Sequence, residues 1–359
     1  MNLTESDYLL GLSRVTGLGP VKIKKFLEIL GSAEEFWKID EADLQELKLP
    51  KELAKSFLHL RSSLDLVLER KKLNESGIQI LGMTVEGYPP LLREIYDPPV
   101  VLYVRGELDP DSAKIGVVGT RIMTVYGRQV TAALAGELAM SGLTIVSGLA
   151  RGVDALAHRT ALEVGGKTVA VLGSGLDNVY PAENRGLAEK IVASGGAVVS
   201  EYPPETAATV GTFPARNRII AGLSEGVLVT EAGEDSGSLI TANAAADQGR
   251  TVFGVPGSIF SRQSAGTNEL LKIGAKVVTG SRDILEELSI EYKSVEMVEV
   301  KPDNEMEAAI LGKVSGEPVH FDELVRNTGI SSGELGAALT VMVISGKLID
   351  LGGYYAKRN

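Results

Sequence analysis

The chain of 359 residues has no cysteine. That excludes a disulfide framework and every thiolate metal site. Histidine is nearly as scarce: His59, His158 and His320 stand far apart. No imidazole zinc site is expected, and no resident metal or cofactor, carboxylate-bound Mg²⁺ being the one metal chemistry left open. No apolar run reaches the ~18 residues a membrane helix needs. The start, Met1-Asn2-Leu3-Thr4-Glu5, lacks the basic and apolar regions of a signal peptide, so a soluble cytoplasmic protein is expected. Aromatic residues make up 5%, with one tryptophan, which leaves few stacking platforms.

Net positive charge is also missing, since the formal charge is −11. Its distribution is uneven. Residues 114–278 carry 14 Lys+Arg and 14 Asp+Glu and are neutral, while both flanks are acidic. A protein-wide basic face is excluded, but a local basic cleft in the middle is not.

What is present is organised around Lys114–Arg121, Lys-Ile-Gly-Val-Val-Gly-Thr-Arg. Ile115, Val117 and Val118 leave no polar face, so this strand is expected to be central. Gly119-Thr120-Arg121 then turns into an amphipathic helix over Val125–Met140. Such a corner suits an anion, or the glycine merely permits the turn. From Ile115 on, apolar runs alternate with helical stretches. Strands are expected at Ile115–Val118, Leu143–Val146, Thr168–Leu172, Ala197–Ser200, Gly226–Thr230, Thr251–Val255 and Lys276–Val278. The fold class is α/β, a Rossmann-like doubly wound parallel sheet. Before it comes a helical region. Val21–Leu30 follows a Gly17-Leu18-Gly19 hairpin and is similar to helix-hairpin-helix modules; Leu53–Glu75 reads as one long helix. After it, three helices and a two-stranded wing over Lys347–Ala356 predict a winged helix, with Ser331-x-x-Glu334 capping its third helix. That third helix has no Lys or Arg, which favours a protein-contacting module over a base reader. The domains are therefore set at 1–75 (helical), 76–289 (Rossmann-like), 290–304 (linker) and 305–359 (winged helix).

In open parallel sheets ligands bind at the carboxyl ends of the strands. The residues there are Gly119-Thr120-Arg121, Ser147-Gly148 with Arg151, Gly173-Ser174-Gly175, Glu201, Phe213 to Arg218, Glu231 and Ser236-Gly237-Ser238. Glycines, hydroxyls and arginines together fit phosphate. A dinucleotide site is not expected, because Asn178 stands where the third glycine of Gly-x-Gly-x-x-Gly belongs. No Walker A lysine motif occurs. Asp154 and His158, one helical turn apart, could pair, but a nucleophile elbow is expected to be absent, so a Ser-His-Asp site is not expected. His158 reads instead as a hydrogen-bonded core residue.

Val118–Arg121, Ser147–His158, Phe213–Ser224, Ser236–Thr241 and Gln263–Val278 together strongly resemble the DNA-processing protein A (DprA/Smf) family. The resemblance spans about Ile80 to Leu288. It implies a non-catalytic, sequence-independent single-stranded DNA-binding protein that protects incoming DNA in natural transformation (competence). It also implies a homodimer that loads a RecA-type recombinase onto strands covered by single-strand-binding protein. The expected DNA-binding residues are Gly119, Thr120, Arg121, Ser147, Gly148, Arg151, Gly173, Gly175, Arg185, Arg216, Asn217, Arg218 and Ser238, of which the resemblance itself implies Arg121, Arg216 and Arg218 and, apart from Arg185, the strand-end chemistry gives the others. Where many members carry a basic residue after Tyr-Pro this chain has Ala182, and Arg185 is the nearest substitute. Tyr180, Tyr202 and Phe213 are the stacking candidates, and the apolar side of Asn268–Val278 is the expected self-association and recombinase face. The alternative from another class is a lysine-decarboxylase-like nucleoside monophosphate hydrolase using Glu231. Its Pro-Gly-Gly-x-Gly-Thr loop is absent. A scaffold acting through the winged helix is the third possibility.

Overall fold

The computed structural model describes residues 2–47, 49–290, 302–314 and 318–357. Nine strands form the central sheet: β1 (Gln79–Gly82), β2 (Val101–Gly106), β3 (Lys114–Val118), β4 (Thr144–Ser147), β5 (Thr168–Val171), β6 (Ala197–Ser200), β7 (Gly226–Val229), β8 (Thr251–Gly254) and β9 (Lys276–Val277). Their spatial order is β1-β2-β6-β5-β4-β3-β7-β8-β9. From β6 through β9 every pairing is parallel, as the apolar runs predict. The sheet is not wholly parallel, however. β1 pairs antiparallel with β2, and β2 with β6. β1 reads Gln-Ile-Leu-Gly, too short and too mixed to show an alternating period.

The chain lays β3 to β6 to one side of β3 and then returns to place β7 to β9 on the other. The order therefore reverses between β3 and β7, and a doubly wound sheet opens its crevice there. β3 is buried along its whole length, the central position its sequence demands.

The helical region departs from the sequence in two places. The long helix is broken into Lys51–Ser63 and Leu66–Glu75, because Asp65 accepts hydrogen bonds from the N–H groups of Val67 and Leu68 and starts a new helix. A further helix, Ala33–Lys38, is capped by Ser32, which accepts from Glu35 N–H. Leu9, Leu10, Phe36 and Phe57 are fully buried in its core.

The C-terminal region has helices Glu305–Leu311, Phe321–Thr328 and Ser332–Ile344 around Ile310, Leu324, Leu335, Leu339 and Met342, all buried. The expected two-stranded wing is present, and a third strand joins its sheet. β10 (Val319–His320) joins β12 (Tyr354–Lys357), which pairs with β11 (Leu348–Asp350). Residues 291–301 of the expected linker lie outside the described residues. Among the described residues no helix is long and apolar enough to cross a membrane.

Candidate nucleic-acid interface

The crevice opens at the switch point, with a volume of about 1050 Å³. Its walls come from the β3 turn (Gly119 to Ile122), the first turns of helices Thr212–Gly222 and Ser238–Asp247, the loop Gly233–Gly237, and Arg262 with Gln263. Of the residues that the sequence singled out, Gly119, Thr120, Arg121, Arg216, Asn217 and Ser238 meet here.

Gly119 is fixed by close approach. A Cβ there would stand 2.6 Å from Val153 Cγ2 and 2.7 Å from the Glu231 carbonyl. Thr120 N–H donates to that same carbonyl at 2.7 Å, and Val153 N–H donates to Thr120 O at 3.1 Å. The turn is thereby braced on both sides, with Arg121 exposed at its tip. The Arg121 guanidinium lies 6.0 Å from the centroid of the Phe213 ring, which stacks in turn against Tyr180 at 5.5 Å. Among the described residues no carboxylate pairs with Arg121. Arg262, exposed and lining the same crevice, likewise makes no ion pair among them. The sequence reading missed Arg262. Its loop follows Pro256-Gly257-Ser258 at a strand end, which was the available signal.

The expected anion corner is filled by the protein itself. Glu231, 2% exposed, accepts from Thr124 N–H at 2.9 Å and from Thr124 Oγ1 at the N-terminus of helix Val125–Met140. A carboxylate is stabilised there by the helix dipole. That helix N-terminus is therefore closed to an external anion, and among the described residues the exposed arginines lining the crevice are Arg121 and Arg262.

Arg216 forms the crevice floor and is only 5% exposed. Its Nη1 donates to Gly148 O at 2.8 Å and to Val171 O, tying the ends of β4 and β5 together. Burial pulls its guanidinium down to about 10, so it stays charged at neutral pH. Asp154, beside it, is pushed up by burial, while N–H groups of Gly148 and Ala150 and the Arg216 charge oppose that push. The rim is not uniformly basic, for Glu234 and Asp235 also line the crevice.

The other expected residues lie elsewhere. Ser147 is buried and donates to Val117 O at 2.6 Å. Gly148, Gly173 and Gly175 are packing glycines; added Cβ atoms would meet Arg216, Phe213 and the Pro203–Pro204 backbone. Arg151 is bound by both oxygens of Glu183 at 2.8 Å. Arg218 is held in a fork by Glu201 at 2.7 Å and by Asp97 at 2.9 Å, facing a second cavity. Arg185 lines a third groove with Arg105, Leu176 and Asp177, so it does not reach the crevice to stand in for Ala182. Tyr202 is absent from the lining, and burial pushes its phenol up to about 12.

Asp154 and His158 do not pair. His158 Nδ1 meets Thr168 Oγ1 at 2.6 Å, and that hydroxyl donates to Ile145 O. The ring is fully buried and its pKa is pulled down by that burial to about 3. The unfolded ring titrates near 6.5. Between those values the unfolded chain binds the proton and the folded chain does not, so stability present above pH ~6.5 is lost as pH falls, by roughly 1.4 kcal/mol per unit. Asp154, raised, acts in the opposite sense, so substitution isolates the histidine. Thermal midpoints from pH 7 to about 4 should fall less steeply in His158→Asn than in the wild type; equal slopes would refute this assignment. The pattern Gly-x-Ser-x-Gly does occur twice, at Gly222–Gly226 and Gly329–Gly333. Neither is an elbow. Ser224 donates to Ile220 O at a helix end, and Ser331 caps helix Ser332–Ile344.

The fold and crevice define a class: a doubly wound α/β domain with exposed arginines at its switch point, followed by a winged helix. Within that class the family is specific. A family model described as DNA recombination-mediator protein A matches residues 79–289, and one described as DprA winged helix domain matches residues 299–353. The chain belongs to the DNA recombination-mediator protein A (DprA/Smf) family. It is 35% identical to Protein Smf of Synechocystis sp. over 96% of both chains. The structure of DNA processing protein A from Streptococcus pneumoniae superposes with a TM-score of 0.69 and 37% identity, covering 80% of this chain and 99% of that one. That of Helicobacter pylori, described for its single-stranded DNA binding mode, gives 0.54 and 34%, covering 60% and 97%.

Proposed function

We propose that this chain binds single-stranded DNA, without sequence preference, with its phosphates on Arg121 and Arg262 and its bases along Phe213 and Tyr180. In this role it protects incoming strands in the cytoplasm during transformation. As a homodimer it passes them from single-strand-binding protein to a RecA-type recombinase. The observation that carries the proposal is Arg121 itself: an arginine on a doubly braced turn, exposed, over an aromatic face and with no carboxylate partner among the described residues. The Helicobacter pylori relative supports the choice of ligand. Binding rather than hydrolysis is supported by the carboxylates, since Glu231 is spent on Thr124 and Glu201 on Arg218. Anisotropy of a labelled oligo-dT should show an affinity falling linearly in log salt, by about 0.7 per phosphate neutralised. Absence of binding at low salt, or release of base or ribose from a monophosphate, would overturn the proposal. The recombinase role predicts faster strand-dependent ATP hydrolysis by recombinase on protein-covered DNA; an unchanged rate would remove it.

Self-association is assigned to the β9 edge, where Ile273 and Val277 are 69% and 54% exposed and β9 has no strand beyond it. Light scattering should give twice the protomer mass, falling to one protomer in Ile273→Asp. A monomer at every concentration would remove this part.

A further inference from the structure

The fold does not explain the loop between β8 and the turn Arg262–Ser264. Ile259 and Phe260 at its tip are 84% and 92% exposed. Yet the loop is firmly built. Gly257 N–H donates to Asn268 Oδ1 at 3.2 Å, and Asn268 Nδ2 donates back to Gly257 O at 3.1 Å. Tyr126 Oη donates to Pro256 O at 2.7 Å. At the tip Ser261 N–H donates to Ser258 O at 3.0 Å, and Phe260 N–H to Ser258 Oγ at 3.3 Å. A pinned turn that holds two large apolar side chains in water costs hydration energy with no packing in return, which marks a contact surface.

Its position names the contact. Two residues further on is Arg262, which lines the crevice and makes no ion pair among the described residues. Ile122 and Val210, 76% and 89% exposed, line the same crevice. An unpaired arginine beside an exposed aromatic ring is the pairing that holds a phosphate and its neighbouring base on a single strand. Resting on the single-strand function proposed above, the geometry points to a second nucleotide subsite outside the crevice. The strand leaves over Arg262, and the next base stacks on Phe260 with Ile259 against its edge. The ligand class is any unpaired base, because every base has a π-face.

Oligo-dT of about four and about twenty nucleotides separates this subsite from the crevice. Phe260→Ala should weaken the long strand about five- to a hundredfold and leave the short one within about twofold, as one stacked base predicts. Phe260→Trp should restore the long-strand affinity and lose its fluorescence on binding that strand; the native Trp37 is buried and supplies a constant background. Unchanged long-strand affinity in Phe260→Ala, with Arg121→Ala defective at both lengths, would overturn the subsite and leave the crevice standing. Dissociation of the dimer by Phe260→Ala would also overturn it, assigning the tip to self-contact. No binding by the intact chain at either length would remove the single-strand function and this subsite with it.

Discussion

Replacing Arg121 with alanine is expected to weaken single-strand binding about 10- to 150-fold. One hydrogen bond to a charged group contributes roughly 1.5–3 kcal/mol, which is this range; a second bond from the guanidinium to the same phosphate would place the loss at its upper end or above. The slope of log affinity against log salt should shrink by about 0.7, the share of one phosphate on a single strand. Thermal stability should hardly move, because Arg121 is exposed and the turn is braced by backbone hydrogen bonds of Gly119's neighbours, not by the guanidinium. Arg121→Lys should recover the salt slope but only part of the affinity, since it keeps the charge and loses the fork. Titration calorimetry and thermal melts on the same samples check both halves. An equal loss of stability and affinity in Arg121→Ala would show a structural residue.

Arg216→Ala should do the reverse and destabilise the protein by about 3–5 kcal/mol. That is a large part of the ~5–15 kcal/mol of a typical fold. The substitution strips the donor from two buried carbonyls, Gly148 O and Val171 O, and leaves Asp154 buried beside no cation. The effect is read from urea unfolding. A shift below about 1 kcal/mol would mean that the floor relaxes around the cavity. Arg216→Lys should rescue part of the loss, because a single nitrogen, Nη1, serves both carbonyls and an ammonium keeps the charge beside Asp154, but the lysine loses the rest of the planar guanidinium.

The two arginines show what a sequence can and cannot tell. β3 was legible because Ile115, Val117 and Val118 leave no polar face and so demand a central strand, and β3 with the alternating helices was enough for the fold. Arg121 was legible because the turn directly follows that strand. The sheet order was not legible, since nothing in the strands says that β7 returns beside β3. The strand ends were therefore taken as one phosphate edge. In fact the loops after β4 and β5 reach the crevice only through residues such as Ala150 and Tyr180, while Ser147, Gly173 and Gly175 serve packing. Pairing was illegible too. Arg151, Arg216 and Arg218 look alike in the sequence, but Glu183, two carbonyls and Glu201 respectively occupy them. Glu231 looked like an available acid and is the buried anion of a helix N-terminus.

The most direct test of the crevice is photo-crosslinking of an oligonucleotide carrying 4-thiothymidine to the intact chain, with the joined residues identified by mass spectrometry. Crosslinks should fall on Phe213, Tyr180 and the residues around Arg121 and Arg262, at the switch point between β3 and β7. Crosslinks confined to the Gly17–Gly19 hairpin or to helix Ser332–Ile344 would place the strand on another domain and contradict the account.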